Sequence, residues 1–448
     1  MRLILRALFA AGLLLSIGGC ATNMSRPIQG TEYTAYKPDL QTIAEMDRSL
    51  VGDQALLSYV RGILDKLNAQ LPKPCECDIV VDTQSGYEAY TLSSRTIVVS
   101  AGLIAQAETE DELAAIIAHE LSHVVNEDQE GTELREGLAF LARAGDLATG
   151  GGGSLLFGDA IEAAAQGLIY NRWDKEEELR ADRFAVNLLA KAGYSQNGLK
   201  MAIRRLSAYS QDVLASKSHG PKCVDGGFEK KNINVTACAS ALTGADDTVY
   251  LNGKDRLKAA ISEMWKLDRE LRRLPVVAET RRFESVEYLY AMNSLVSTDK
   301  DALIEGLRHV ESLPIPKSLE SNDVIANRLF MSSVLVGDEE KATEYLFKSF
   351  DSDHRTVATY RNLLWIADKR QDRDLVEKVM GEMRKDIGWS SRLLPYEAYL
   401  AKRYGLNIYE IETTLRCASN LAKDTGIYQK CAELTKKSKT VAGIDWWP

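Results

Sequence analysis

Apolar positions recur at helical spacing along most of the chain and at strand spacing in one short region. DQALLSYVRGILDKLNAQL, residues 53 to 71, carries an apolar stripe that predicts an amphipathic helix. The runs DIVVDT and RTIVVSAGL that follow are rich in β-branched residues and predict strands. ETEDELAAIIAHELSHVVNED then predicts a long helix, opened by Thr109 with Glu112 three residues on, the pattern of a capping box. From about 126 to 170 the chain is rich in Ala and Gly, with GGGGS at 150 to 154, and regular structure there is costly. KEEELRADRFAVNLLAKAG predicts a second helix that stops at Gly193. Residues 215 to 253 read as irregular, and beyond Asp255 almost every segment reads as helical. Turn-like points in that last region, Gly337, Gln371 and Gly405, are 34 and 34 residues apart (371 − 337, then 405 − 371), with Ser297 another 40 upstream. A 34-residue period of paired helices resembles tetratricopeptide repeats.

The 448 residues are 45% hydrophobic and 27% charged, a globular composition long enough for two or three domains. The net charge of −9 argues against nucleic acid, or an anionic membrane surface, as a partner recognised through charge. The opening MRLILRALFAAGLLLSIGGC combines arginines, a short apolar run and a small-residue end, the pattern of a secretory signal. Its ending IGGC resembles a bacterial lipobox, which implies lipidation of Cys20 and, with Ala21 next to it, sorting to the outer membrane. An ordinary signal peptide cleaved near Ala21 is the plainer alternative. Cys75, Cys77, Cys223, Cys238, Cys417 and Cys431 remain, an even number that suits disulfides in an exported protein, and their order suggests local pairs. A bond between Cys75 and Cys77 would close a tight ring, which counts against that pair; a CxC metal site competes with it but lacks a second cysteine pair nearby.

The candidate chemistry lies in AHELSH. On a helical wheel Leu113, Ile116, Ile117, Leu121 and Val124 share one arc, and His119 and His123 lie beside its Ile116 edge, one turn apart, able to reach a single ion. Glu120 falls inside the apolar arc, where an unpaired carboxylate is costly. A catalytic zinc ion needs a third protein ligand and a position left to water. On the second helix Glu178 and Asp182, also one turn apart, lead into the apolar stripe of Ala185 and Leu189 and can supply it.

TEDELAAIIAHELSHVV followed by ExxAD at 178 to 182 resembles the gluzincin metallopeptidases related to HtpX and the CAAX prenyl protease, over about residues 40 to 260. TIVVSAGLI and AGYS also fit that family. The resemblance implies that His119, His123 and Glu178 bind zinc, one ion per chain, that Glu120 is the catalytic base, and that Asp182 steadies a ligand. His219 in SHGPK resembles the family's Ser-Thr-His-Pro position, and Arg256 the arginine that follows it; a plain surface histidine is set against one that reaches the cleft, to bond the oxyanion or to occupy the open position of zinc. Here Gly220 replaces the family's proline, and a long insertion carrying two cysteines separates His219 from Arg256. Glu88, Ala89 and Tyr90 stand where the family commonly has Asn-Ala-Phe. His309 and His354 read as surface histidines. The strand Thr96 to Ser100 is expected to receive an extended substrate by strand addition.

The expected fold is α+β, mostly α. It comprises a signal peptide at 1–19, a tether at 20–39, a zinc metallopeptidase domain with a small sheet at 40–274, and an all-α helical-hairpin, TPR-like domain at 275–448. The expected function is a zinc endopeptidase of the cell envelope, lipid-anchored in the periplasm, that cuts unfolded or misassembled envelope proteins. Its helical region would dock envelope assembly proteins. The alternative is a lipid-anchored chaperone-like or scaffold protein with a vestigial or structural zinc site.

Overall fold

The computed structural model describes residues 37–84, 86–92, 95–126, 175–218, 224–225, 232–233, 253–276, 279–295, 300–352, 355–421 and 425–438. The expected signal peptide, Cys20, the glycine run, His219, Cys223, Cys238, Ser297, His354 and residues 446 and 447 lie outside them. The fold is α+β and mostly helical. No helix among the described residues is long and apolar enough to cross a membrane.

Helix α1 (Lys37–Glu45) and helix α2 (Gln54–Asn68), the latter capped by Asp53, precede a three-stranded sheet of β1 (Asp78–Asp82), β2 (Ala89–Thr91) and β3 (Thr96–Ser100). The order is β1-β3-β2, with β1 parallel to β3 from Asp78 opposite Thr96, and β2 antiparallel to β3 from Ala89 opposite Val99. Side chains alternate between faces. Ile79, Val81, Ala89, Ile97 and Val99 enter the main core, whereas Val80, Tyr90, Leu92 and Val98 pack under Ile43 and Leu50 from the N-terminal segment. Both faces are therefore covered, which is why these strands read as unbroken apolar runs. The central position of β3 corrects one expectation: it is paired on both sides, so the strand available for addition is β2.

Helix α3 (Ala101–Gln106) leads into α4 (Glu110–Val125), the helix of the HELSH motif. Thr109 accepts from the Glu112 N–H at 3.2 Å, but the Glu112 carboxylate reaches the N–H of Glu108 rather than that of Thr109. That carboxylate is fully buried and also takes bonds from the Tyr87 hydroxyl and Arg205 Nε, both at 2.7 Å. It ties the start of α4 to the sheet and to the helix after next. Helix α5 (Lys175–Ala192) ends at Gly193, whose φ of 76° takes the left-handed stop, and α6 (Asn197–Ser218) follows. Gly198 at the start of α6 lies so close to α4 that a Cβ there would sit 2.1 Å from the Asp111 carbonyl oxygen. Short strands β4 (Val224–Asp225) and β5 (Asn232–Ile233) pair with each other, and α7 (Gly253–Met264) returns to pack on α5 and α6.

Helices α8 (Glu284–Ala291) and α9 (Lys300–Ser312) extend the first core, which runs on from the sheet and α4 through Phe283, Leu289, Leu307 and Leu329. The second core belongs to helical pairs: α10 (Asp323–Val336) with α11 (Glu339–Phe350), α12 (Val357–Lys369) with α13 (Arg373–Asp386), and α14 (Leu394–Arg403) with α15 (Asn407–Ser419) and α16 (Thr425–Lys437). Gly337, Gln371 and Gly405 sit at the turns within these pairs with φ of 95°, 55° and 63°. Only a left-handed residue reverses the chain so tightly, so the 34-residue spacing read from the sequence marks real helix reversals.

Cys417 and Cys431 are bonded, joining α15 to α16. Cys75 and Cys77 are bonded as well, contrary to the expectation from ring size. Their Cα atoms are 5.3 Å apart, an ordinary disulfide separation. Asn68 holds the loop by bonding both the N–H and the C=O of Cys75, at 2.8 and 3.0 Å.

The two cores are joined through residues 45 to 50. Asp47, with φ of 56°, accepts from the Ala358 N–H at 2.7 Å and pairs with Arg392 at 2.6 Å, while Arg392 donates to the Glu45 carbonyl. One residue on, Arg48 reaches into the sheet region and pairs with Asp82 at 3.0 Å and Glu88 at 2.7 Å, all buried. Asp47→Ala, which strands a buried guanidinium, is expected to lower the unfolding free energy by about 3 kcal/mol. Asp47→Asn keeps an acceptor and tolerates the positive φ, so urea unfolding should show a smaller drop in midpoint for it.

Candidate metal centre

Three helices and one strand build the site. Helix α4 is enclosed on every side, with Leu113, Ala114, Ile117, Ala118 and Leu121 fully buried, so its polar residues face protein rather than solvent. It presents His119, Glu120 and His123, which are 7%, 4% and 0% exposed. Packed across it, α5 presents Glu178 and Asp182 above the buried Ala185 and Leu189.

His119, His123 and Glu178 converge on one point. The two Nε2 atoms are 3.3 Å apart, and Glu178 lies 3.5 Å from His119 Nε2 through Oε2 and 3.7 Å from His123 Nε2 through Oε1. Zinc bonds of 2.0–2.1 Å in a tetrahedron place neighbouring donors about 3.3–3.4 Å apart, close to these separations. Glu178 Oε1 is buried with no hydrogen-bond partner among the described residues, an orphaned acceptor that a cation would satisfy. The residues present fit a zinc ion.

Asp182 and Arg256 set the charges around the three donors. The Nδ1–H of His119 donates to Asp182 Oδ1 at 3.1 Å, the partner that leaves Nε2 with its lone pair toward the other donors. Arg256, from α7, donates to both Asp182 oxygens at 2.7 and 2.8 Å and pairs with Glu178 Oε2 at 3.0 Å. Burial by itself would raise both carboxylates; the Arg256 charge outweighs it, holding Glu178 down to about 2 and Asp182 well below the usual carboxylate range. Burial works against a charged His119, but Glu178 and Asp182 more than offset it, so in the metal-free protein its pKa is pushed up to about 10.

Beside these donors, Glu120 is tied to β2 by the Thr91 hydroxyl, which donates to its Oε2 at 2.9 Å. A cleft opens beside His119 and Glu120, lined by Ala89, Leu103, Ile116, Leu199, Ile203 and Leu206 among others. The structure thus brings together five of the six residues that the sequence singled out; His219 lies outside the described residues. Arg256 had been noted for its resemblance alone, without its two carboxylate partners. Thr91 carried no signal, because a three-residue strand is too short to show a period. His309 is exposed on α9, as a surface histidine should be.

Two crossed helices, one bearing His-Glu-x-x-His and the other a glutamate that completes a three-donor set above a cleft, define the metallopeptidase class of site. Residues 53–235 match the model for Peptidase family M48. The chain is also 30% identical over 125 residues to a candidate beta-barrel assembly-enhancing protease of Vibrio cholerae serotype O1. That alignment takes in 27% of this chain and spans 26% of the length of the relative.

Metal binding at His119 has to displace its proton. Between about pH 6.5 and 8, zinc affinity should rise roughly tenfold per pH unit, and calorimetry in buffers of different ionisation heat should find about one proton released per ion. Release near zero would mean that His119 is already neutral. In the metal-free protein the raised His119 pKa contributes stability that is complete below 6.5 and is lost as pH rises through about 10. The lowered Glu178 acts oppositely: its contribution is present above 4.5 and is lost as pH falls through about 2.

Proposed function

We propose that the protein is a zinc-dependent endopeptidase of the bacterial cell envelope that hydrolyses unfolded or misassembled envelope proteins. The observation that carries this reading is the buried Glu120 carboxylate beside the His119, His123 and Glu178 donor set. A structural zinc site closes four protein ligands and has no use for a neighbouring base; the group here offers three among the described residues. That weighs against the alternative of a chaperone-like scaffold with a vestigial metal.

A zinc ion held by these residues supplies Lewis acidity, lowering the pKa of a water toward ~7. Glu120 takes the proton of the attacking water and passes it to the departing amine. Asp182 keeps His119 in the tautomer that leaves Nε2 free, and Arg256 keeps Asp182 and Glu178 ionised. The substrate enters as an extended strand along β2. Glu88 O and Leu92 N bond toward β3, through Ser100 N and Thr96 O, so the alternate residues Ala89 and Thr91 aim their N–H and C=O groups away from it. The apolar cleft beside Glu120 takes a large aliphatic or aromatic side chain next to the scissile bond, a residue type that unfolded polypeptide exposes.

The family match and the name of the Vibrio cholerae relative support a protease role in envelope assembly. We place the protein in the periplasm, attached to the outer membrane by lipid on Cys20, on the strength of the IGGC pattern. The helical pairs from α10 onward, TPR-like in their 34-residue period, serve as the docking surface for assembly proteins.

With zinc per chain verified as equal, Glu120→Gln is expected to cut hydrolysis of an unfolded, reduced protein by about 10²- to 10⁴-fold. Unchanged hydrolysis would sink the mechanism. Ala202→Phe narrows the cleft, since Ala202 is part of its lining. Peptide profiling should then show preference for Leu or Phe beside the cut falling roughly tenfold or more relative to Ala.

A further inference from the structure

We infer that Thr91 is a positioning residue for the base, fixing one oxygen of Glu120 to the strand along which substrate lies. This rests on the reading of Glu120 as base given above. Thr91 is fully buried, and by strand alternation it shares the α4-facing side of β2 with Ala89, while Tyr90 faces the opposite way toward Arg48. Its hydroxyl hydrogen is directed at Glu120 Oε2 at 2.9 Å, with the Glu120 carbonyl oxygen at 3.3 Å as a second acceptor.

The chemistry needs such an anchor. A glutamate has three rotatable side-chain torsions, and a base must keep one oxygen within hydrogen-bond reach of the proton it takes. Helix α4 fixes the Glu120 backbone but not those torsions. By occupying Oε2, Thr91 leaves Oε1 for proton transfer. It also ties the base to β2 rather than to the helix alone, so substrate register and base position are set by the same three-residue strand. Valine has nearly the same shape as threonine without the donor, and serine keeps the donor without the methyl group, so the two substitutions separate hydrogen bonding from packing.

The test compares wild type, Thr91→Val, Thr91→Ser and Glu120→Gln, each with measured zinc content and unfolding midpoint, on an unfolded, reduced protein and on a quenched-fluorescence peptide. Thr91→Val should lower kcat roughly 10- to 100-fold with KM within about twofold and zinc retained, the scale of an ångström misplacement of a reacting group. Thr91→Ser should stay within about threefold of wild type. Crystal structures of the metal-free wild type and Thr91→Val give a readout independent of turnover. Glu120 should be anchored on β2 in the first and turned away or split between rotamers in the second, with His119, His123 and Glu178 unmoved. The inference is overturned if Glu120 stays in place in Thr91→Val, if Thr91→Val keeps the wild-type kcat while Glu120→Gln is inactive, or if valine and serine lose kcat equally. If Glu120→Gln itself retains full activity, the base assignment fails and the role of Thr91 with it.

Discussion

The site depends on one interaction, the guanidinium of Arg256 laid across Glu178 and Asp182. Without it two carboxylates one turn apart on α5 would be buried side by side, a combination that favours protonation of at least one of them. A protonated Glu178 would be a poor ligand, and a protonated Asp182 would no longer accept from His119. Lysine could not replace the arginine, because one ammonium group does not reach three oxygens in a plane as the guanidinium fork does.

The second requirement is that α4 be held without freedom to slide or turn, since it carries His119, Glu120 and His123 at once. It is gripped at its start by the Glu112 network with Tyr87 and Arg205, by the contact with α6 that only Gly198 permits, and by Asp111 accepting from the Ser195 N–H at 2.7 Å. Its middle packs against α5 and the sheet, and the small residues at 114, 115 and 118 are fully buried along it.

The convergence of His119, His123 and Glu178 was legible in the sequence because both helices repeat their candidate donors at one-turn spacing, so that faces could be assigned from local order alone. The helix reversals at Gly337, Gln371 and Gly405 were legible because a reversal needs a particular backbone conformation and recurs at a fixed period. What escaped was tertiary. The direction of Arg256 depends on how α7 returns across α5, and no local pattern encodes that. The strand β2 is three residues long, so its parity, which aims Thr91 at Glu120, emerges only from pairing with β3. The bond between Cys75 and Cys77 looked unfavourable because ring size was judged without Asn68, which clamps the same loop from α2. Phe283, Leu289 and Leu307 join the first core rather than the second, an assignment that their apolar character alone does not encode.

The segment between α1 and α2 makes the two halves one packed structure. Asp47 and Arg48 are neighbours in the chain, yet the first is spoken for by Arg392 and the Ala358 N–H in the helical half, and the second by Asp82 and Glu88 beside the sheet. Glu88 immediately precedes Ala89, which lines the cleft. These are buried charges at 2.6 to 3.0 Å, and breaking such pairs costs several-fold more than breaking exposed ones. The geometry of the strand beside Glu120 is therefore not a property of the first core alone. A helical array joined to it in this way, rather than through a slack linker, cannot be displaced far without disturbing the contacts that hold Glu88 and, through the strand that begins next to it, the surroundings of the base.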